Sequence, residues 1–172
     1  MKIILIGYMA SGKSLIGREL AKVLNCEFLD LDNFIEEKES KTISKIFLEK
    51  GEIFFRKIEN SYLKEVLSSK KKIVLSLGGG TPCFSNNLKL ILESEDVQSI
   101  FLNVPINELA KRLMLDKTNR PLVEYVTNEN DMLEYVGKHI FERLAFYNQA
   151  TFKIDANKAK EEVVEDILVK LF

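Results

Sequence analysis

The feature that most restricts what this chain can fold into is one short string near its start, Gly7-Tyr8-Met9-Ala10-Ser11-Gly12-Lys13-Ser14, which fits G-x-x-x-x-G-K-[ST]. It follows the apolar run Ile3-Ile4-Leu5-Ile6 and precedes a segment in which Leu15/Ile16, Leu20, Val23 and Leu24 recur at helical spacing. A buried strand, a glycine-bounded turn and an amphipathic helix in that order form a phosphate cradle. The turn aims successive backbone N–H groups inward, and the helix N-terminus adds its dipole. In such a loop Lys13 reaches the β- and γ-phosphates, and the Ser14 hydroxyl is placed to ligate Mg²⁺. Ala10, Ser11, Gly12, Lys13, Ser14 and Leu15 are the expected nucleotide contacts.

A phosphate loop is common to kinases, GTPases, ATPases and nucleotide sensors. Guanine recognition usually needs N-K-x-D, and the nearest string, Asn157-Lys158-Ala159-Lys160, lacks the aspartate. GTPases therefore fall behind.

The rest of the chain sets boundaries. Its 172 residues, 46% hydrophobic and 30% charged, suit one soluble domain over 1–172. With 25 basic and 26 acidic side chains, the net charge of −1 gives no field to attract a nucleic-acid backbone. The expected partners are small molecules. No apolar run approaches membrane-span length, so a cytoplasmic protein is expected. A monomer is expected as well. Cys26 and Cys83 lack zinc-site spacing and read as packing residues. The one histidine, His139, lies on a polar helical stretch and reads as a surface residue.

Strand-like runs recur at 2–6, 27–30, 72–77, 99–103 and 151–154. Helical patterns lie between them, strongly so from Ile53 to Leu67 (apolar at 54, 55, 58, 62, 63, 66 and 67) and at Val163, Val164, Ile167, Leu168 and Leu171. The expectation is an α/β fold, three layers α/β/α around a central five-stranded parallel sheet. The polar stretch Asp116 to Asp131 has few core-forming residues and reads as a surface excursion of the kind that serves as a lid.

Two further clusters point to an acceptor site. Asp30 and Asp32 stand two residues apart at the end of the second strand-like run, and would face the same side if extended geometry persists. Parallel α/β sheets bind ligands beyond the carboxyl ends of their strands. Helix capping of Asn33 to Lys38 is the alternative use of these acids, with Asp32 as the candidate cap. Gly78-Gly79-Gly80 follows the buried run 72–77, and three glycines in succession are costly unless something must approach the backbone closely.

The phosphate loop, the D-x-D, the string Gly51-Glu52-Ile53-Phe54-Phe55-Arg56-Lys57-Ile58-Glu59, the Leu77-Gly78-Gly79-Gly80 turn and Asn119-Arg120-Pro121-Leu122 together resemble the shikimate kinase family, in order and over essentially the whole chain. The resemblance implies a kinase with a mobile lid at about 112–128 and a substrate-binding segment at about 32–62, using ATP and Mg²⁺ to phosphorylate the 3-hydroxyl of shikimate. It implies that Asp32 binds the shikimate hydroxyls and orients or deprotonates the attacking one, and that Asp30 joins Ser14 near the metal. By the same resemblance Arg56 and Arg143 grip the shikimate carboxylate, a task suited to arginine's planar fork. Gly78, Gly79 and Gly80 approach the substrate, Phe47 and Phe55 form pocket walls, Arg120 closes on the phosphates with the catalytic Lys13, and Arg112, Asn157 and Lys158 lie near adenine.

Two departures stand out. The family often has glycine where this loop has Ala10, and the match near Asp155-Ala156-Asn157-Lys158 is loose. Alternatives are a gluconate or nucleoside-monophosphate kinase, and a nucleotide-binding regulatory module without catalysis.

Overall fold

Two strands without a polar face set the centre of the sheet. In the computed structural model, which describes residues 1–116 and 123–172, every residue of β1 (Lys2–Ile6) and β3 (Ile73–Ser76) is buried. Burial on both faces requires helices above and below. The sheet has the order β2-β3-β1-β4-β5, with every pairing parallel. The outer strands are β2 (Glu27–Asp30) beside β3, and β4 (Val97–Asn103) with β5 (Phe152–Asp155) on the other flank. The expected five-stranded α/β sheet is borne out.

Among the described residues the helices are α1 (Lys13–Val23), α2 (Leu31–Glu39), α3 (Ile43–Ser68), α4 (Asn87–Glu93), α5 (Ile106–Leu115), α6 (Glu129–Tyr147) and α7 (Lys160–Leu171). A 3-10 turn, Thr81–Cys83, follows the glycine triplet. The apolar stripe of α1 is rotated from the expected one: Ile16, Gly17, Leu20 and Ala21 are buried, while Leu15 and Val23 are exposed. Small residues at 17 and 21 let the helix lie close to the sheet, so the larger Leu15 is left at the rim of the site.

α3 starts ten residues before the expected Ile53 and is interrupted at Gly51 (φ 79°, ψ 171°). A positive φ is strained for any residue with a Cβ, so Gly51 is where α3 changes direction and Glu52 opens its second half.

The excursion 116–131 needs correction in its described part. Val123 and Val126 are buried in the core, and the acidic stretch from Glu129 is the first turn of α6. Asn128 caps that helix, its side-chain oxygen accepting from the Asp131 N–H at 2.9 Å. Arg112 belongs to α5. Residues 117–122, with Arg120 and much of the expected lid, lie outside the described residues.

Candidate active site

The loop between β1 and α1 is built from unusual backbone. Gly7 (φ 156°), Ala10 (φ 62°) and Gly12 (φ 91°) all have positive φ, and α1 starts immediately after Gly12 with no side-chain cap and no acid in its first turn. Its first N–H groups and dipole therefore face outward unopposed, which favours an anion. Within the loop, the Lys13 ammonium donates to the carbonyls of Gly7 and Tyr8, both at 2.9 Å.

β2 ends at Asp30 because that side chain turns the chain into α2: Asp30 Oδ1 accepts from the N–H groups of Asp32 (3.1 Å) and Asn33 (3.5 Å). The cap is thus Asp30 and not Asp32, and the two acids do not share an extended strand. Both still line one cleft, because the first helical turn brings Asp32 back over the end of the sheet. The second Asp30 oxygen accepts from Ser14 Oγ at 3.0 Å. Asp32 is pushed up from 3.8 to about 6 by burial first, then by the neighbouring charges of Asp30, Glu59 and Glu36, with Lys13 acting in the opposite direction.

The glycine triplet explains itself by what each residue touches. A Cβ on Gly78 would lie 3.0 Å from both Asp32 Oδ1 and Thr81 Oγ1; on Gly79 it would lie 3.6 Å from the Arg143 guanidinium; on Gly80, 3.2 Å from that of Arg56. The turn is a bare backbone wall on which an acid and two arginines converge from α2, α6 and α3.

Buried polar partners hold this arrangement. Glu59, 1% exposed, accepts from Arg56 Nη1 at 3.0 Å and from Thr81 Oγ1 at 2.7 Å, joining α3 to the turn. The Arg56 guanidinium stacks 3.7 Å from the centroid of Phe84. Tyr147 donates to the Gly79 carbonyl at 2.6 Å. Phe47 and Phe55 pack against each other with centroids 4.6 Å apart, beside Arg56.

The main cleft, about 710 Å³, is lined by Ala10 to Leu15, Asp30, Asp32, Gly78, Gly79, Arg112 and Lys158 from the expected set. Arg56, Gly80, Arg143, Phe47 and Phe55 do not line it; the two arginines meet the glycine turn at Gly79 and Gly80. Asn157 is also outside the lining, but its side-chain oxygen accepts from Arg112 at 3.4 Å, and Arg112 donates to the Ala10 carbonyl at 3.3 Å. Arg18, Lys160 and Val163 also line the cleft, although the sequence did not mark them as site residues.

Glu59, Thr81, Phe84 and Tyr147 were missed as well. Glu59 carried a signal, being three residues after Arg56 and so on the same helical face. His139 is not a free surface residue: it is half-buried, and its Nδ1 lies 3.3 Å from the Tyr8 hydroxyl. The expectation failed because Tyr8 is distant in sequence and nothing local announces the contact. Cys26 and Cys83 are half-buried free thiols, and burial pushes Cys83 up to about 11, which suits packing over reactivity.

Comparison with known proteins points the same way as the geometry. A family model for shikimate kinase matches residues 9–172. The shikimate kinase of Flavobacterium psychrophilum is 45% identical over 172 residues, covering 99% of each chain. Among solved structures, shikimate kinase from Bacteroides thetaiotaomicron superposes with a TM-score of 0.87 at 31% identity, covering 99% of this chain and 98% of that one. Shikimate kinase from Acinetobacter baumannii, in complex with shikimate, gives 0.84 at 34% identity, covering 99% and 92%. A gluconokinase from Sinorhizobium meliloti, at 17% identity and 0.58, shares the fold alone. With the phosphate loop, the bare glycine wall and the convergent acid and arginines on one scaffold, the chain belongs to the shikimate kinase family.

Proposed function

We infer that the protein transfers the γ-phosphoryl group of ATP to the 3-hydroxyl of shikimate, giving shikimate 3-phosphate and ADP, a step of aromatic amino acid (chorismate) biosynthesis. The observation that carries this reading is the glycine turn. Its three residues abut Asp32, Arg143 and Arg56 in succession, one strand away from the phosphate loop. A small acceptor with hydroxyls and one carboxylate matches an acid and two arginines against a backbone wall.

In this reading ATP lies along residues 10–15, with Arg112, Asn157 and Lys158 towards adenine. Shikimate lies against Gly78-Gly79-Gly80, its carboxylate held by Arg56 and Arg143, with Phe47 and Phe55 supporting the wall. Phosphoryl transfer through a loose transition state depends on alignment and charge neutralisation more than on covalent help. Asp32 orients the acceptor hydroxyl in line with the γ-phosphorus and, being ionised above about pH 6, takes its proton. Lys13 and Arg120 supply positive charge to the transferring group.

Ser14 and Asp30 fit a Mg²⁺ ion, since both present hard oxygen atoms 3.0 Å apart beside the phosphate loop. Such an ion commonly takes only one or two protein ligands and completes its shell with phosphate oxygens and water. When bound it neutralises charge on the phosphates.

The reading is of a cytoplasmic monomer acting on two small molecules, without a nucleic-acid or membrane partner. The net charge of −1 supports the lack of a nucleic-acid partner, and no described helix is long and apolar enough to cross a membrane.

Coupled ADP detection with shikimate, gluconate and nucleoside monophosphates as acceptors tests the assignment. Turnover on shikimate at least a hundredfold above the others is expected. Turnover on another acceptor, or ATP binding without turnover on any, refutes it in favour of a different small-molecule kinase or a regulatory module.

A further inference from the structure

One face of α6 carries Tyr135, His139, Arg143 and Tyr147, each four residues from the last and therefore stacked along the helix. Three of them touch the two loops that make the site. Tyr147 donates to the Gly79 carbonyl, the Arg143 guanidinium lies 5.6 Å from the centroid of the Tyr8 ring, and His139 Nδ1 lies 3.3 Å from the Tyr8 hydroxyl. Tyr135 packs against the His139 ring with centroids 4.2 Å apart and planes tilted by 56°, and Tyr125 stands edge-on to Tyr135 at 6.3 Å.

Tyr8 sits in the phosphate loop itself and is 2% exposed. Its carbonyl accepts from the Lys13 ammonium and, at 3.2 Å, from the Ser11 N–H. One residue therefore touches both the lysine of the nucleotide side and the helix that carries Arg143.

The surroundings of the Tyr8–His139 contact set the protonation of both partners. Burial raises the Tyr8 pKa, with Tyr135, Tyr147 and Tyr125 adding to it against Arg143, so the phenol keeps its proton. Burial lowers the His139 pKa, helped by Arg143 and Lys138 and opposed by Glu142, which favours the neutral imidazole. A protonated phenol beside a neutral imidazole allows the Tyr8 hydroxyl to donate to Nδ1, with the ring proton on Nε2.

We propose that Tyr8 and His139 are positioning residues, which lock α6 onto the phosphate loop through this hydrogen bond and so fix where the Arg143 guanidinium stands beside Gly79. The proposal rests on the shikimate kinase reading for what Arg143 grips. Packing alone would need only the aromatic ring of Tyr8. The buried hydroxyl adds a directional contact one helical turn from Arg143, which sets the rotation of α6 about its axis. Loss of that contact leaves the loop amides and Lys13 in place but releases the arginine.

The test is steady-state kinetics of the full chain with MgATP and shikimate for Tyr8→Phe, His139→Leu, the double variant and His139→Asn, with folding checked by thermal melting. Tyr8→Phe keeps the ring under Arg143 and so serves even where His139→Leu fails to fold. Loss of one hydrogen bond predicts that each single variant raises KM for shikimate about fivefold, with KM for ATP changed less than twofold. The double variant is expected to be no worse than either single, and His139→Asn, whose side-chain oxygen replaces Nδ1 as acceptor, to recover most of the loss. Shikimate KM within twofold of wild type in both singles, a parallel loss in ATP, additive effects or failure of Asn to rescue overturns the proposal.

Because His139 is the only histidine, its Nδ1 resonance in ¹⁵N-labelled protein reads the contact without turnover. Tyr8→Phe is expected to shift it, and an unmoved resonance overturns the proposal. Wild-type protein that fails to turn over shikimate removes the functional reading alone, and the resonance still decides the contact.

Discussion

Asp32→Asn is expected to make the ligand-free protein more stable while destroying its activity. In the fold Asp32 is pushed up from 3.8 to about 6, by burial and by Asp30 and Glu59 before any other influence. A folded pKa above the unfolded one means that the folded state holds the proton more tightly. The penalty for ionising Asp32 is therefore absent below about pH 4, develops between about pH 4 and 6, and is complete above that. The rise corresponds to roughly 3 kcal/mol at full effect. Asp32 keeps some exposure to the cleft, so about half of that, roughly 1–2 kcal/mol, is expected on neutralising it. For a domain of this size that is a Tm increase on the order of 3–6 °C at pH 8. The assay is thermal melting of wild type and variant from pH 4 to 8 with EDTA and no substrate, beside turnover at pH 8. The Tm difference should be near zero at pH 4 and reach its full value above pH 6, while kcat falls by about a hundredfold or more, as for loss of an aligned proton acceptor. A variant no more stable than wild type at pH 8, or a difference independent of pH, refutes the assignment of the raised pKa to Asp32.

Three further outcomes follow from the same contacts. Gly78→Ala places a Cβ 3.0 Å from Asp32 Oδ1 and should lower kcat/KM for shikimate by about tenfold through roughly 1–2 kcal/mol of overpacking; Gly79→Ala, whose nearest contact is 3.5 Å, should lower it distinctly less, and the reverse order would count against the wall. Glu59→Gln weakens the buried link from Arg56 to Thr81 and should cost about 2 kcal/mol of stability by denaturant titration together with a raised shikimate KM and an unaltered ATP KM. Ala10→Gly relieves a positive φ of 62°, worth about 1 kcal/mol, against a similar entropic cost in the unfolded chain, so Tm should move by no more than about 2 °C with nucleotide affinity intact.

What could be read from the sequence depended on whether separate signals coincided. Ile3 to Ser14 was legible because an apolar run, two glycines and a helical pattern each imply the same strand, turn and helix. Asp30 and Asp32 were legible as site residues, but their geometry was not: a strand continued through both was the simplest extension, and the fold ends β2 at Asp30 because that carboxylate satisfies the first N–H groups of α2. Arg143 was found through family resemblance, whereas Tyr147 and His139, on the same face of α6, were not. Their partners, Gly79 and Tyr8, are 68 and 131 residues away, and helical spacing tells which residues share a face without telling what that face meets. Val123 and Val126 were hidden by their polar neighbours, since two isolated valines make no periodic pattern although the core takes both.

The strand order has a consequence for how chemistry can vary on this scaffold. The phosphate loop leaves β1 and the glycine turn leaves β3, which are hydrogen-bonded neighbours in register, Leu5 opposite Ser76, and the Leu77 N–H still donates to the Leu5 carbonyl at 3.2 Å as the chains diverge. The separation of the two turns where they leave the sheet is then inherited from the spacing of adjacent strands, about 4.8 Å. Asp32, Arg56 and Arg143 come instead from α2, α3 and α6, so exchanging them leaves that separation as it is. The sheet works as a fixed ruler between the two turns, and variety is left to the helices.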